Sequence, residues 1–303
     1  MRAAVMDLGT NSFKLLVAEG DEGGMKVLLD RQEVVRLGDG LALTGGFLRD
    51  AMDRAVQEVG QMLEICEALD VQVLLAVGTM GFRKASNGDE LLNAIKDRCS
   101  LEVRIISGQE EAELSFEASA LKGTRLVLDI GGGSTEMVFG HQGILGAVSV
   151  EAGALFLTDL FLDPRVVPSG EALEAAHVRA REALVAGLGE LNLPNRDVPL
   201  CGVGGTFTTL ASVALGLESY DPERVHGFFL SRGELERQHG MYASMTGEQR
   251  RSIPGMHPKR ADIALGGAVI ALEAVRLFDS EGVVVSARGL RHALMERLLK
   301  GEV

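Results

Sequence analysis

Residues 5–17 read VMDLGTNSFKLLV, and residues 127–139 read VLDIGGGSTEMVF. At an offset of 122 positions the two align without a gap: Val5 falls on Val127, Asp7 on Asp129, Gly9 on Gly131 and Ser12 on Ser134. Each is a short apolar strand, an aspartate, a loop of Gly, Ser, Thr or Asn, and a second apolar strand. Glycine permits left-handed backbone and close approach, and successive loop amides then form a concavity for an anion. The aspartate suits a hard cation such as Mg²⁺, directly or through its waters. A plain hairpin turn would explain the glycines, and GGGS in isolation is linker composition. It would not explain an aspartate and hydroxyls at both turns. The pattern predicts phosphate loops at Gly9, Thr10, Asn11 and Ser12 and at Gly131, Gly132, Gly133 and Ser134, with Asp7 and Asp129 as cation ligands. Two such loops, one in each half, imply two lobes gripping one phosphate chain.

The chain has 303 residues, enough for two domains each with its own core. Hydrophobic residues make up 46% and charged residues 24%, as in soluble globular enzymes. The net charge of −13 repels phosphate backbones and acidic lipid surfaces, which argues against nucleic acid and membrane as partners. An acidic protein that takes a polyanion must gather cations locally or recruit Mg²⁺. Cys66, Cys99 and Cys201 are far apart with no CxxC pair, which fits reduced thiols in a cytoplasmic protein. MRAAVMDLG is too short an apolar stretch for a signal segment. No run of about 18 apolar residues offers a membrane span.

The first half reads strand 3–8, strand 13–19, a turn at Asp21–Gly24, strand 25–36, helix 47–69, strand 71–77, helix 87–98 and strand 102–106. In the first helix Met52, Val56, Val59, Met62, Leu63 and Cys66 fall near helical spacing. The second half restarts the order with strands 125–130, 136–140 and 144–150, helices 153–162 and 169–190, and strand 199–203. Hairpins mixed with crossovers predict a mixed sheet flanked by helices in each half. A helix over 109–122 links the halves. Segment 261–278, ADIALGGAVIALEAVRLF, is apolar on nearly every face and should be buried. Strand 283–285 and helix 289–300 close the chain. The domains are then 1–121 and 122–288, with the C-terminal helix, about 289–303, packing back on the first.

Ser107-Gly108-Gln109-Glu110-Glu111-Ala112-Glu113 opens the linking helix. An acidic first turn complements the helix dipole and needs no further role. Between two phosphate loops, however, one carboxylate can orient and deprotonate water, worth roughly 10²–10⁴ in rate. Gly202-Val203-Gly204-Gly205-Thr206 follows a strand and opens another helix, whose first amides can bind an anion. A Gly-walled slot at Gly204, Gly205 and Thr206 could also hold a purine. Lys14, Arg83, Lys84, Lys259, Arg260, Arg288 and Arg291 lie near loop ends, as surface charges or phosphate contacts. There is no GxxxxGK[ST] loop, nucleophile elbow or histidine metal spacing.

In this order the strings VMDLGTNSFKLLV, VGTMGFRKASN, IISGQEEAEL, LVLDIGGGSTEMVFG, GVGGTFTTLA, VHGFFLSRGEL, IPGMHPKRADIALGGAVIAL and VSARGLRHAL resemble the exopolyphosphatase / guanosine pentaphosphate phosphohydrolase (Ppx/GppA) family. They run from residue 5 to about 296, and ISGQEEA with DIGGGSTE at this separation is the specific part. The resemblance implies a duplicated actin-like (ribonuclease H-like) two-lobe α/β fold, with mixed sheets flanked by helices and an interlobe cleft. It implies Glu111 as catalytic base and Asp129 and Glu136 as metal ligands. It implies phosphate contacts from the Gly131–Ser134 backbone with Thr135, from the Asp7–Ser12 loop, and from Arg83; Arg260, a loop-end cation, is a further candidate phosphate contact on its position in the sequence. A homodimer is compatible with it. Three departures stand out: Lys14 where the family commonly has Arg, Phe156 where it often has Arg, and a short form without the added helical domain of long members. A Lys lacks the bidentate fork of Arg.

The reading is Mg²⁺-dependent hydrolysis, with Mn²⁺ as a substitute, of the terminal phosphoanhydride of inorganic polyphosphate by water oriented at Glu111. A guanosine pentaphosphate 5′-phosphatase is the alternative of the same class. It needs a base-and-ribose pocket, and no Trp, 2 Tyr and 4% aromatic residues supply few stacking platforms. A non-hydrolysing sensor of phosphorylated nucleotides and a kinase or ATPase are alternatives of other classes. The Glu111 motif speaks against both.

Overall fold

The first repeat folds as three antiparallel neighbours, β1 (Arg2–Leu8), β2 (Ser12–Asp21) and β3 (Gly24–Val34), in the computed structural model of the chain. The structure describes residues 1–21, 24–119, 123–191, 193 and 196–303. β4 (Val73–Gly78) lies parallel to β1, and β5 (Arg104–Ile105) parallel to β4, giving the order β3-β2-β1-β4-β5. The second repeat builds the same pattern from β6 (Arg125–Ile130), β7 (Thr135–Gly140), β8 (Ile144–Val150) and β9 (Leu200–Val203). β10 (Phe229–Ser231) and β11 (Gly282–Val285) extend that sheet, giving β10-β11-β9-β6-β7-β8. Both sheets are mixed, and β11 beside β9 repeats β5 beside β4. This doubling is the actin-like fold. The 122-residue offset survives in the register: Asp7 opposes Lys14 across β1–β2, and Asp129 opposes Glu136 across β6–β7.

Two compact units result, residues 1–114 with 290–303, and residues 115–289. The boundary expected at 121/122 lies outside the described residues. In the first unit α1 (Arg49–Ala68) and α2 (Gly88–Cys99) supply Met52, Val56, Val59, Met62, Leu91 and Ile95 to a core shared with Met6 and Leu15 of the sheet. α3 (Gly108–Ala118) carries the unit boundary between Leu114 and Ser115. In the second unit lie α4 (Ala154–Phe161), α5 (Gly170–Glu190), α6 (Gly204–Ala214), α7 (Arg232–Ala243) and α8 (Ala264–Leu277). α9 (Leu290–Leu299) belongs to the first unit and packs on β1 and β2. There Arg291 donates to both carboxylate oxygens of Asp30, at 2.8 and 2.9 Å. Burial works to raise the Asp30 pKa, but hydrogen bonds from His292 and Arg291 hold it well below the usual carboxylate range.

α7 and β10 have no counterpart in the sequence reading. α7 buries only Leu235, Gln238 and Tyr242, too sparse a stripe to stand out. Its start signal was present, because Ser231 caps it by accepting the Glu234 amide at 3.2 Å. α8, by contrast, is buried at Leu265 through Val275, as its all-round apolar composition demands. Among the described residues no helix is long and apolar enough to cross a membrane. Burial raises the thiols of Cys66 and Cys201 to about 11, which keeps both protonated at neutral pH.

One carboxylate breaks the apolar run of α8. Glu273 is 1% exposed and accepts from His177 Nδ1 at 2.9 Å, Arg181 Nε at 2.7 Å and Arg276 Nη1 at 3.1 Å. Burial alone would raise its pKa, but the hydrogen bonds from His177 and Arg181 hold it at about 2. His177 Nε2 stands 2.9 Å from His239 Nε2. Burial, with His177 and Arg276 beside it, pushes His239 down to about 4 from an ordinary 6.5. The unfolded chain therefore takes up the His239 proton first, and stability falls as pH drops from about 6.5 toward 4. Glu273 adds to the loss only below its ordinary 4.5. Thermal melts between pH 7 and 5 should show a falling Tm for the wild type and a shallower fall for His239→Gln. Parallel slopes would assign the effect to other groups.

Candidate active site

The two Asp-led loops close alike. Gly9 N–H donates to Ser12 O at 3.2 Å, and Gly131 N–H donates to Ser134 O at 2.9 Å. A Cβ at Gly9 would stand 2.9 Å from that carbonyl, so the closure needs glycine. The loop carbonyls are engaged from outside. Thr10 O accepts from Gly38 at 2.8 Å, and Asn11 O accepts from Val35 and Arg36 at 3.1 and 2.8 Å. Gly132 O accepts from the Leu155 and Phe156 amides of α4 at 2.8 and 2.9 Å. The amides of Thr10, Asn11, Gly132 and Gly133 find no acceptor among the described residues, although Thr10, Asn11 and Gly133 are buried. Buried backbone N–H groups are nearly always paired, so each loop offers two donors suited to an anion. Phe156, one of the departures from the family pattern, lies under the Arg179 guanidinium, 5.4 Å from the ring centroid.

The aspartates at the loop entrances have different partners. In the first unit Lys14 Nζ donates to Asp7 Oδ2 at 2.7 Å, and Asp7 is buried. Lys14, expected on phosphate, thus neutralises the carboxylate expected on metal. In the second unit the position equivalent to Lys14 is Glu136, so the cross-strand pair is two acids. Like charges facing each other across a ladder repel. Hydroxyls answer them. Ser115 Oγ donates to Asp129 Oδ2 at 2.6 Å, and Ser134 Oγ and Ser149 Oγ both donate to Glu136 Oε1 at 2.7 Å. Thr135, fully buried, donates to the Ala152 carbonyl and so anchors the strand beside them. No group of three or more His, Cys, Asp and Glu that could hold an ion occurs among the described residues. Mg²⁺ does not require one, since it binds through one or two carboxylates, water and substrate phosphate. The Asp129–Glu136 oxygens fit an ion of that kind, and Asp7, already held by an ammonium, fits it less well.

Glu111 lies in the first turn of α3. Arg83, from the short helix Met80–Lys84, directs Nη1 and Nη2 at Glu111 Oε2, at 3.2 and 3.1 Å, and Nη1 also reaches the Ile106 carbonyl at 2.6 Å. Arg83, expected on phosphate, fixes the direction of the Glu111 carboxylate. Glu110 instead faces Arg104, at 2.9 Å. Neighbouring helix positions point about 100° apart, so these two acids do not share a face. Residues 111 and 115 do share one, a turn apart on α3.

At the third glycine turn, Gly204 begins α6 with φ +86°. A side chain there would collide with Asp129 Oδ1, and one at Gly205 would collide with the Arg260 guanidinium. Thr206 Oγ1 donates to Ile130 O at 3.1 Å, tying α6 to the end of β6. Arg260, Gly205, Thr206, Thr209 and Tyr242 line a small pocket in this unit. The glycine face available to a purine is thus covered by Arg260. Ser115 and Ser149 were not singled out from the sequence; for Ser115 the available signal was its i+4 spacing from Glu111.

Anion-ready loops on a doubled sheet, with an acid at the start of α3, define a phosphate-processing enzyme of the actin-like class. The chain belongs to the Ppx/GppA phosphatase family, whose model matches residues 16–302, and it is a phosphoanhydride hydrolase. It is 32% identical over 299 residues to exopolyphosphatase 2 of Mycobacterium tuberculosis, covering 91% of this chain and 90% of that one. It is 28% identical over 313 residues to a bifunctional 3-dehydroquinate synthase/phosphatase of Fusobacterium nucleatum, covering 98% of this chain but 46% of that protein. The crystal structure of an exopolyphosphatase from Cytophaga hutchinsonii matches with a TM-score of 0.90 at 29% identity, over 99% of this chain and 98% of that one.

Gly204→Ala tests the packing at Asp129. Left-handed backbone and the collision with Oδ1 together should destabilise the fold by about 1–3 kcal/mol, read as a lower Tm. Phosphate release should fall by more than the lost stability explains. An unchanged Tm would show that Asp129 and α6 are not packed this tightly.

Proposed function

We propose that the chain removes the terminal phosphate from inorganic polyphosphate with the help of Mg²⁺ or Mn²⁺ at Asp129 and Glu136. The observation that carries the reading is that each unit has its own Asp-led loop with two amides, Thr10 and Asn11 in one and Gly132 and Gly133 in the other, that meet no acceptor among the described residues. They are fixed donors for phosphoryl oxygens, in a protein whose net charge of −13 otherwise repels phosphate. Glu111 accepts the proton of the attacking water, and Arg83, bound to Oε2, keeps the carboxylate aimed. Mg²⁺, when bound, offsets the charge that develops on the phosphate oxygens. Arg260 against Gly205 favours the polymer over guanosine pentaphosphate, because a phosphate chain has no base to place on that glycine face. The guanosine nucleotide remains the second reading, since a guanidinium plane can also stack on a base.

The deciding measurement is phosphate release from polyphosphate, guanosine pentaphosphate and ATP at equal ionic strength. Polyphosphate should give the highest kcat/KM, and a higher constant for the guanosine nucleotide would transfer the assignment. Excess chelator should abolish turnover and added Mg²⁺ restore it; full activity in chelator would remove the metal from the reading. Glu111→Gln should lower kcat by about 10²-fold or more while the phosphate chain still binds. Glu110→Gln should change it little, and equal losses in both would refute Glu111 as base.

A further inference from the structure

Ser115 is fully buried on α3, and its hydroxyl makes one short contact, 2.6 Å to Asp129 Oδ2. The geometry points to Ser115 as a positioning residue that holds Asp129 in the orientation a divalent cation requires. The inference rests on the metal reading above and adds a residue to it.

Three observations carry it. First, a serine hydroxyl is a neutral donor. It can orient a carboxylate oxygen without supplying the positive charge that Lys14 brings to the equivalent Asp7. Second, Asp129 opposes Glu136, whose Oε1 is likewise held by two serine hydroxyls. Serine hydroxyls thus orient both members of the opposed acid pair, the two side chains proposed to hold the cation. Third, the other Asp129 oxygen, Oδ1, lies where a side chain at position 204 would stand, so the bare backbone of Gly204 leaves room for the carboxylate that Ser115 orients. Outer hydrogen bonds of this kind fix ligand direction and commonly change metal affinity by about 10- to 100-fold when removed. Ser115 also lies one helical turn from Glu111, so the helix that presents the proposed base also orients the proposed cation ligand.

The test uses the full chain and Mn²⁺ as the probe, with binding followed by electron paramagnetic resonance. Wild type, Ser115→Ala, Ser115→Thr, Ser115→Cys and Asp129→Asn are compared, with Tm as a control for folding. Ser115→Ala should weaken Mn²⁺ about tenfold and raise by a similar factor the Mg²⁺ concentration needed for half-maximal phosphate release. Its deficit should narrow at saturating Mg²⁺, and Ser115→Thr, which keeps the hydroxyl, should restore the affinity. A merely structural role would lower Tm and kcat together at every Mg²⁺ concentration. If Ser115→Ala does not fold, Ser115→Cys decides, since sulfur fills the space but donates weakly. Wild-type Mn²⁺ affinity in Ser115→Ala or Ser115→Cys, alongside its loss in Asp129→Asn, would overturn the role of Ser115 alone. No Mn²⁺ binding by the wild type would overturn the metal reading and the role of Ser115 with it.

Discussion

In each repeat an aspartate at the end of the first strand faces the residue seven positions further on, and the chemistry of that pair differs between the units. In the first unit the pair is Asp7 and Lys14, which neutralise each other at 2.7 Å. In the second it is Asp129 and Glu136, which cannot. A carboxylate pair in a half-buried ladder persists only with hydrogen-bond donors aimed at it. Ser115, Ser134 and Ser149 supply these donors from α3, the loop and β8. Three separate parts of the second unit are thereby fixed around one acidic pair. The loops, the close approach of Gly204 and the direction of α3 are all arranged around these positions.

The doubled architecture was legible because it is written in period and spacing. Apolar strands, a repeated Asp–Gly turn and one all-apolar helix gave β1, β2, β6, β7 and α8 directly. α7 escaped because its surface is polar and its buried positions are few. The pairings at the site were less accessible. Sequence showed Arg83 and Lys14 as cations near phosphate loops, but not that Arg83 would turn to Glu111 or Lys14 to Asp7. A side chain's choice between a ligand and a neighbouring carboxylate depends on rotamer and distance, which spacing along the chain does not encode. The serines are subtler still. Ser is a common surface residue, and only burial and a 2.6 Å contact distinguish Ser115 from many others.

Arg260 illustrates how one side chain can occupy the space that a glycine leaves. Gly205 lacks a side chain, and in this fold that gap could receive a flat base. Here a guanidinium rests in it. The Arg260 guanidinium occupies the space a side chain at position 205 would take, beside the start of α6.

The unpaired loop amides have a thermodynamic consequence. A buried N–H without an acceptor costs on the order of 1–3 kcal/mol, and Thr10, Asn11 and Gly133 are buried residues whose amides meet no acceptor among the described residues. An acceptor that meets such an amide removes a cost that folding otherwise bears. By mass action, a ligand at about one hundred times its Kd would raise stability by about 2.7 kcal/mol. A phosphate compound that binds the folded loops and not the unfolded chain thus adds to stability as its concentration rises.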